Sequence, residues 1–364
     1  MTTKIKETSK NFCNFSVIVC AFNEERFILD CLYSLVSLNY PKDSYEILVI
    51  ENDSQDSTYE IVKEYINSQI NNPLLIRALR KKHGGLSESR NVGIIESNFP
   101  YLAFTDADAI ADKNWLSELN TVFQKGAAIT GGRIMLWNSK NSVSKFMHTA
   151  RHHQCFDLDK PLETFIGCNM AMSKKLLKKY KGFLENFTSR GDDTSFIHKI
   201  DLNKYRYIGA SDAIVFHWRP ENFLQYFISE WKSGLTTSLS ILLLHKHVSF
   251  QFVASLLEKA ILSLLLPSVA IFFYDSRYGS ILFSISLLAL IRRLAFRYSS
   301  RLIIANLYQE FKSIYPILKY IWIEILFAPI QVISCFLGFL KHWNVSELEP
   351  MSTPFVILDK CSNR

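Results

Sequence analysis

Four short apolar, β-branched runs recur along the first third of the chain, with stretches of helical spacing between them, and this alternation constrains the fold more than any other feature. Ser16–Ala21, Glu46–Ile50, Leu74–Leu79 and Tyr101–Thr105 read as strands; Glu25–Leu38, Asp56–Gln69 and Leu86–Ile95 read as helices. Repeated β-α-β units imply a parallel sheet covered on both faces, with ligands outside the carboxyl ends of its strands. The polar residues that follow each strand therefore carry the chemistry: Asn23 and Glu24, then Glu51–Asp53, then Asp106 and Asp108. After Gly131 and Gly132 the alternation fades into a mixed portion, Arg133–Arg219.

From Phe223 the composition changes again. Phe252–Phe273 carries only Glu258 and Lys259 as charges and Tyr278–Ile291 carries none, against the roughly 20 apolar residues that a bilayer crossing needs. The pattern predicts a helical hairpin with Asp275 and Arg277 at its tip, the shorter arm completed by snorkelling of Arg292 and Arg293. Tyr320–Leu340 is interrupted by Glu324 and Pro329, and a span, a re-entrant segment and an interfacial helix all stay open for it. The basic residues Arg292, Arg293, Arg297, Arg301, Lys312 and Lys319 face one acid, Glu310, which places that loop in the cytoplasm. No signal-peptide core follows the polar N-terminus, so the first domain is expected on the same side. Seven cysteines without a C-x-x-C pair indicate neither a disulfide framework nor a zinc site. The net charge of +7 is mild and lies mostly beside the apolar spans, which disfavours nucleic-acid binding.

Four elements in order resemble the family 2 glycosyltransferases of the GT-A fold. Cys20-Ala21-Phe22-Asn23-Glu24-Glu25 is similar to the family's Pro-x-Tyr-Asn-Glu turn, with Phe22 offering a ring for a nucleobase. Glu51-Asn52-Asp53-Ser54-Gln55-Asp56-Ser57-Thr58 is similar to Asp-Asp-Gly-Ser-x-Asp-x-Thr, where Asn52 is placed to take a uracil-type imide without a full charge, leaving the base open. Gly84 to Gly93 is similar to Gly-x-x-x-Ala-Arg-Asn-x-Gly, with Arg90 facing a diphosphate. Thr105-Asp106-Ala107-Asp108 matches the Asp-x-Asp motif: Asp108 would hold a divalent cation, Mg²⁺ or Mn²⁺ because the ligands are hard oxygens, and Asp106 would reach the donor ribose or the metal shell.

Downstream, Gly167-Cys168-Asn169-Met170-Ala171, Gly182-Phe183-Leu184-Glu185 and Gly191-Asp192-Asp193-Thr194 resemble later family motifs. The resemblance makes Asp193 the general base, with Asp192 where glutamate is usual. His217, in His217-Trp218-Arg219, becomes a phosphate or metal contact. The triplet His148, His152 and His153 reads mainly as surface, with a metal pair as the minor reading. The processive Gln-x-x-Arg-Trp motif does not occur, so transfer of one or a few sugars is expected.

The resulting expectation is an α/β GT-A domain over residues 15–219, its donor half 15–132 and acceptor half 133–219. A polar tail, 1–14, precedes it; an interfacial segment (220–251), membrane helices (252–342) and a C-terminal tail (343–364) follow. The implied donor-binding residues are Phe22, Asn23, Glu24, Glu51, Asn52, Arg90, Asp106 and His217, with Asp108 on the metal. The implied activity is inverting transfer from a nucleotide sugar to a lipid-linked or glycan acceptor at the membrane, in polysaccharide or glycolipid synthesis. A processive synthase and a silent sugar-nucleotide sensor or scaffold are the alternatives.

Overall fold

The continuous apolar runs form the centre of a nine-stranded sheet. The computed structural model describes residues 12–151, 166–187, 190–243, 257–296, 304–305, 307–309, 312–342, 351 and 355–364. β1 (Phe15–Ala21) pairs in parallel with β2 (Tyr45–Glu51) on one side and β4 (Tyr101–Asp106) on the other. β3 (Leu75–Lys81) continues the parallel set beyond β2. The register aligns Ala21 with Glu51 and Cys20 with Asp106, so the segments leaving β1, β2 and β4 emerge at one edge.

β5 (Ala109–Ala111), β6 (Ile129–Leu136), β7 (Met170–Ser173) and β8 (Ala210–His217) extend the sheet past β4, and with β9 (Ile357–Ser362) at the far edge the order is β5-β8-β6-β7-β4-β1-β2-β3-β9. β5 runs antiparallel to β8 with Ala109 opposite His217, which carries that histidine back beside the Asp-x-Asp turn. Apolar side chains line both faces of the sheet. α1 (Ile28–Val36), α2 (Thr58–Ser68) and α4 (Trp115–Gln124) cover one, through residues such as Leu32, Ile66 and Leu119. α3 (Leu86–Glu96) covers the other through Val92 and Ile94, joined by Leu177 and Phe196 from shorter helices. Burying each such side chain contributes about 1.5–3 kcal/mol before the entropy of ordering it.

Two differences from the sequence reading are local. The first helix begins at Ile28 rather than Glu25, because Asn23 takes a left-handed conformation (φ 56) and the N–H groups of Asn23 and Glu24 donate to Ser54 Oγ and Thr58 Oγ1. The C-terminal residues, expected as a tail, supply β9 (Ile357–Ser362), antiparallel to β3. Asn363 secures it: its buried carboxamide accepts from Ile76 N (2.9 Å) and donates to the carbonyls of Leu74 (2.8 Å) and Gln69 (3.1 Å).

Beyond α5 (Ser142–Arg151) come two short helices, α6 (Lys174–Lys179) and α7 (Asp192–Lys199), and then α8 (Phe223–Leu243). The apolar C-terminal portion holds α9 (Leu265–Tyr274), α10 (Ser276–Phe296) and α11 (Tyr315–His342). α9 and α10 pack as a hairpin with Asp275 between them, and α8 packs along α11. Three stretches, Leu257–Tyr274, Ser276–Ala295 and Tyr315–Gly338, are long and apolar enough to cross a membrane, making this a multi-pass membrane protein by length and composition. The third runs helically through Pro329. Glu258 is matched by an ion pair with Arg292. His152, His153, Arg297, Arg301 and Glu310 lie outside the described residues.

Candidate active site

The turns after β1 and β2 brace each other. Asn23 Oδ1 accepts from Gln55 N (2.8 Å), and Asp56 accepts from Thr58 N and its hydroxyl. Buried Glu51 accepts from Ser54 N (2.6 Å) and pairs with Arg80 (3.3 Å), which also reaches Asp53 (3.1 Å). Asn23 and Glu51, expected at the donor, are thus tied into the scaffold. Asn52 shows the same: its Oδ1 accepts from Gly84 N (3.0 Å) and its Nδ2 donates to Gly84 O (2.9 Å), so its amide fixes the Gly84 loop. Phe22 stays exposed, and its ring lies 4.5 Å from the ring of His83 at an interplanar angle of 44°. His83 Nδ1 donates to Asn52 O (3.1 Å). Sequence reasoning missed His83; its position just before Gly84-Gly85, at the end of β3, was the available signal.

Arg90, buried on α3, joins the two halves of the domain. Its guanidinium pairs with Asp192 and with Asp106 (3.2 Å). A Cβ at Gly167 would meet Arg90 Nη2 at 2.3 Å, so a larger residue there would displace the guanidinium. Gly191, left-handed at φ 83, starts α7 so that Asp192 turns inward while Asp193 stays half-exposed. Asp193 Oδ2 accepts from Gly167 N (2.8 Å) and its Oδ1 from Thr194 N (2.6 Å). Asp192 is committed to Arg90; Asp193 is held by backbone amides and contributes to the cleft. Glu185 accepts from Asn91 Nδ2 (2.9 Å).

The Asp-x-Asp turn meets His217. His217 Nε2 lies 3.4 Å from Asp106 Oδ2 and 3.5 Å from Asp108 Oδ1, while His217 Nδ1 lies 2.7 Å from Trp218 O. A carbonyl oxygen only accepts, so Nδ1 carries the proton, and in the neutral ring Nε2 turns its lone pair toward two carboxylates. Two carboxylates and a ring nitrogen thus converge, a donor set that suits a divalent cation.

Electrostatics point the same way. Burial, and then the charges of Asp108, Asp106 and Asp56, push Glu24 up to about 8. Asp108 is also raised, by burial first and then against the pull of His217 by Asp106. Asp106 is held at about 2: burial works against ionisation, but His217, Arg90 and Arg219 outweigh it. Burial, and then Arg219 and His217, press His148 down to about 3. One open cleft of about 810 Å³ gathers Phe22, Glu24, Arg90, Asp106, Asp108, Asp193 and His217. Arg190, Arg219 and Lys232 also line it, the last carried by α8.

Residues 16–181 match the profile of glycosyl transferase family 2. Glycosyltransferase AglE of Haloferax volcanii is 36% identical over 120 residues, 33% of this chain and 38% of its own length. The probable glycosyltransferase YdaM of Bacillus subtilis is 26% identical over 231 residues, 60% of this chain and 54% of its own length. The chain therefore spans about half or less of these relatives. The mannosyltransferase PcManGT from Pyrobaculum calidifontis, solved with GDP-Man and Mn²⁺, superimposes with a TM-score of 0.56 at 14% identity, covering 89% of this chain and 88% of that one. That likeness shows a shared fold. With the profile match, the motif order and the GT-A-like sheet in agreement, residues 16–181 form a glycosyl transferase family 2 domain.

Proposed function

We propose that the protein is an inverting glycosyltransferase that moves a sugar from a nucleotide diphosphate donor to a membrane-proximal, lipid-linked or glycan acceptor. The observation that carries this reading is a division of carboxylates within one cleft: Asp106 and Asp108 converge on the His217 edge, while Asp193 is half-buried and held by the backbone N–H groups of Gly167 and Thr194. YdaM and AglE are glycosyltransferases by name, and the PcManGT structure holds a nucleotide sugar, which supports the same class.

In this reading Asp106, Asp108 and His217 hold a divalent cation, Mg²⁺ or Mn²⁺, which when bound offsets the charge of the departing diphosphate. Phe22 and His83 flank the base, and Arg90 fixes Asp106 from behind. Asp193 takes the proton of the acceptor hydroxyl as its oxygen bonds to the anomeric carbon and the carbon–oxygen bond to the nucleoside diphosphate breaks. One step inverts the centre, with no covalent enzyme intermediate. Lys232 on α8 brings a cation to the cleft rim, and the basic residues after α10 support a cytoplasmic catalytic domain. A label beside Asp275 should then react only from the opposite side.

Calorimetry and turnover on the detergent-solubilised protein test this. Asp193→Asn should keep donor affinity and lose turnover by about a hundredfold or more, and Asp108→Ala should lose cation-dependent donor binding. A wild-type protein that binds no nucleotide sugar with either cation overturns the reading.

A further inference from the structure

The spacing of the cysteines gives no zinc motif, but the fold assembles ligands from distant positions. Sγ of Cys168, a carboxylate oxygen of Asp106 and a ring nitrogen of His217 all lie within 4.8 Å of one another. The three come from the loop before β7, the end of β4 and the end of β8. Cys168 and His217 are buried, and both line the cleft.

The loop bearing Cys168 is rigid. The Asn169 side chain accepts from Trp115 Nε1 (2.8 Å) and donates to the carbonyls of Arg133 and Ala213 (2.9 Å each). Gly132 N donates to Asn169 O (3.0 Å), and Gly167 N donates to Asp193. Ile134 and Ile166 pack against Cys168. The sulfur is thus held close to a ring nitrogen of His217 by the same loop that holds Asp193.

We infer that Cys168 is a ligand of the donor-site cation, so that the site is a mixed sulfur, nitrogen and oxygen centre that takes Zn²⁺ or Co²⁺ more tightly than Mg²⁺. This rests on the reading of Asp106, Asp108 and His217 as a cation site. A thiolate is a soft ligand and imidazole an intermediate one, and together with carboxylate they suit zinc and cobalt, whereas Mg²⁺ prefers oxygen alone. On binding, the metal–sulfur bond replaces the S–H bond and the proton leaves to solvent.

The test is Co²⁺ titration of the full-length, detergent-solubilised protein, followed in the near-ultraviolet and visible. Wild type should show a sulfur-to-cobalt charge-transfer band. Cys168→Ser should lose it and bind Zn²⁺ about tenfold or more weakly, a loss at least as large as those seen for groups one shell further from a metal. Its Mn²⁺ affinity should change little, which also reports that the variant is folded. Zinc-edge X-ray absorption on wild type reads the same ligand without a variant, as a sulfur shell at about 2.3 Å. Cobalt bound with no charge-transfer band, or a zinc shell of nitrogen and oxygen only, overturns the cysteine ligand and leaves the cation site standing. Failure of both Co²⁺ and Mn²⁺ to bind removes the cation site itself, and the inference with it.

Discussion

Arg90→Met isolates the charge that joins the two halves of the domain. Methionine keeps apolar contact with Phe183, whose ring centre lies 5.8 Å from the guanidinium carbon, and removes only the cation. Arg90 is 3% exposed and Asp192 1% exposed, so water cannot replace the lost partner. Breaking a buried pair by deleting one member costs about 3–5 kcal/mol. A second route gives a similar figure: an orphaned carboxyl can take a proton, which at pH 7 costs about 4 kcal/mol for an ordinary acid at about 1.4 kcal/mol per pH unit. Asp192 is already raised, by burial first, and so is the cheaper of the two to neutralise. The expected loss is about 4 kcal/mol, or about 8–16 °C in melting temperature for a domain of this size. The sign of the pH dependence follows. In wild type, the depressed Asp106 contributes stability above its unfolded value of 3.8 that is lost only as pH falls toward about 2, so this group leaves the range from 5.5 to 7 (about a unit and a half) flat. In the variant, protonation replaces the guanidinium, and the deficit should shrink by about 2 kcal/mol over that range. Tryptophan-fluorescence melts at both pH values, without added cations, measure it. A loss below about 1 kcal/mol, or a deficit unchanged on acidification, refutes the claim that buried charge compensation is what Arg90 supplies.

Two further outcomes are expected. Glu24 sits at about 8 against an ordinary 4.5, so the cation-free protein should lose stability as pH rises from 4.5 to about 8, and Glu24→Gln should flatten that slope in thermal melts. Asn363→Ala removes the side-chain partner of Ile76 N and Leu74 O, while Gln69 O keeps Asn72 N, and should cost about 2–3 kcal/mol and speed amide exchange in β3 in hydrogen-exchange mass spectrometry.

The parallel core was legible because its strands are buried on both faces and read as unbroken apolar runs such as Glu46–Ile50; only their ends shifted, where side chains like Ser54 and Thr58 consume the first helical amides. The Asp-x-Asp turn stood out for the same reason, as polar residues after an apolar run, whereas Asp193 was reached through the motif resemblance alone. What stayed hidden depends on pairing across long separations. Arg90 and Asp192 are 102 positions apart, and nothing local in either marks the other. Asn52 looked like a base contact because its position says only that it follows a strand; that both ends of its amide are taken by Gly84 is a fact of the third dimension. β9 was missed because six residues beyond the membrane helices have no β-α frame to identify their partner.

These pairings decide what the cleft can admit. Arg90 is spent on Asp192 and Asp106, so its charge mainly balances the protein's own carboxylates. Glu24 and Asp108, both raised, resist ionisation together in the cation-free cleft. A divalent cation beside His217 reverses that balance: it favours the ionised form of both carboxylates and supplies the counter-charge that a diphosphate needs. On the proposed reading, donor and cation therefore reinforce each other's binding, and by linkage the factor by which the cation tightens the donor equals the factor by which the donor tightens the cation. Measuring both affinities, each with and without the other ligand, checks this, and Glu24→Gln should reduce the coupling because one of the carboxylates that the cation must ionise is gone.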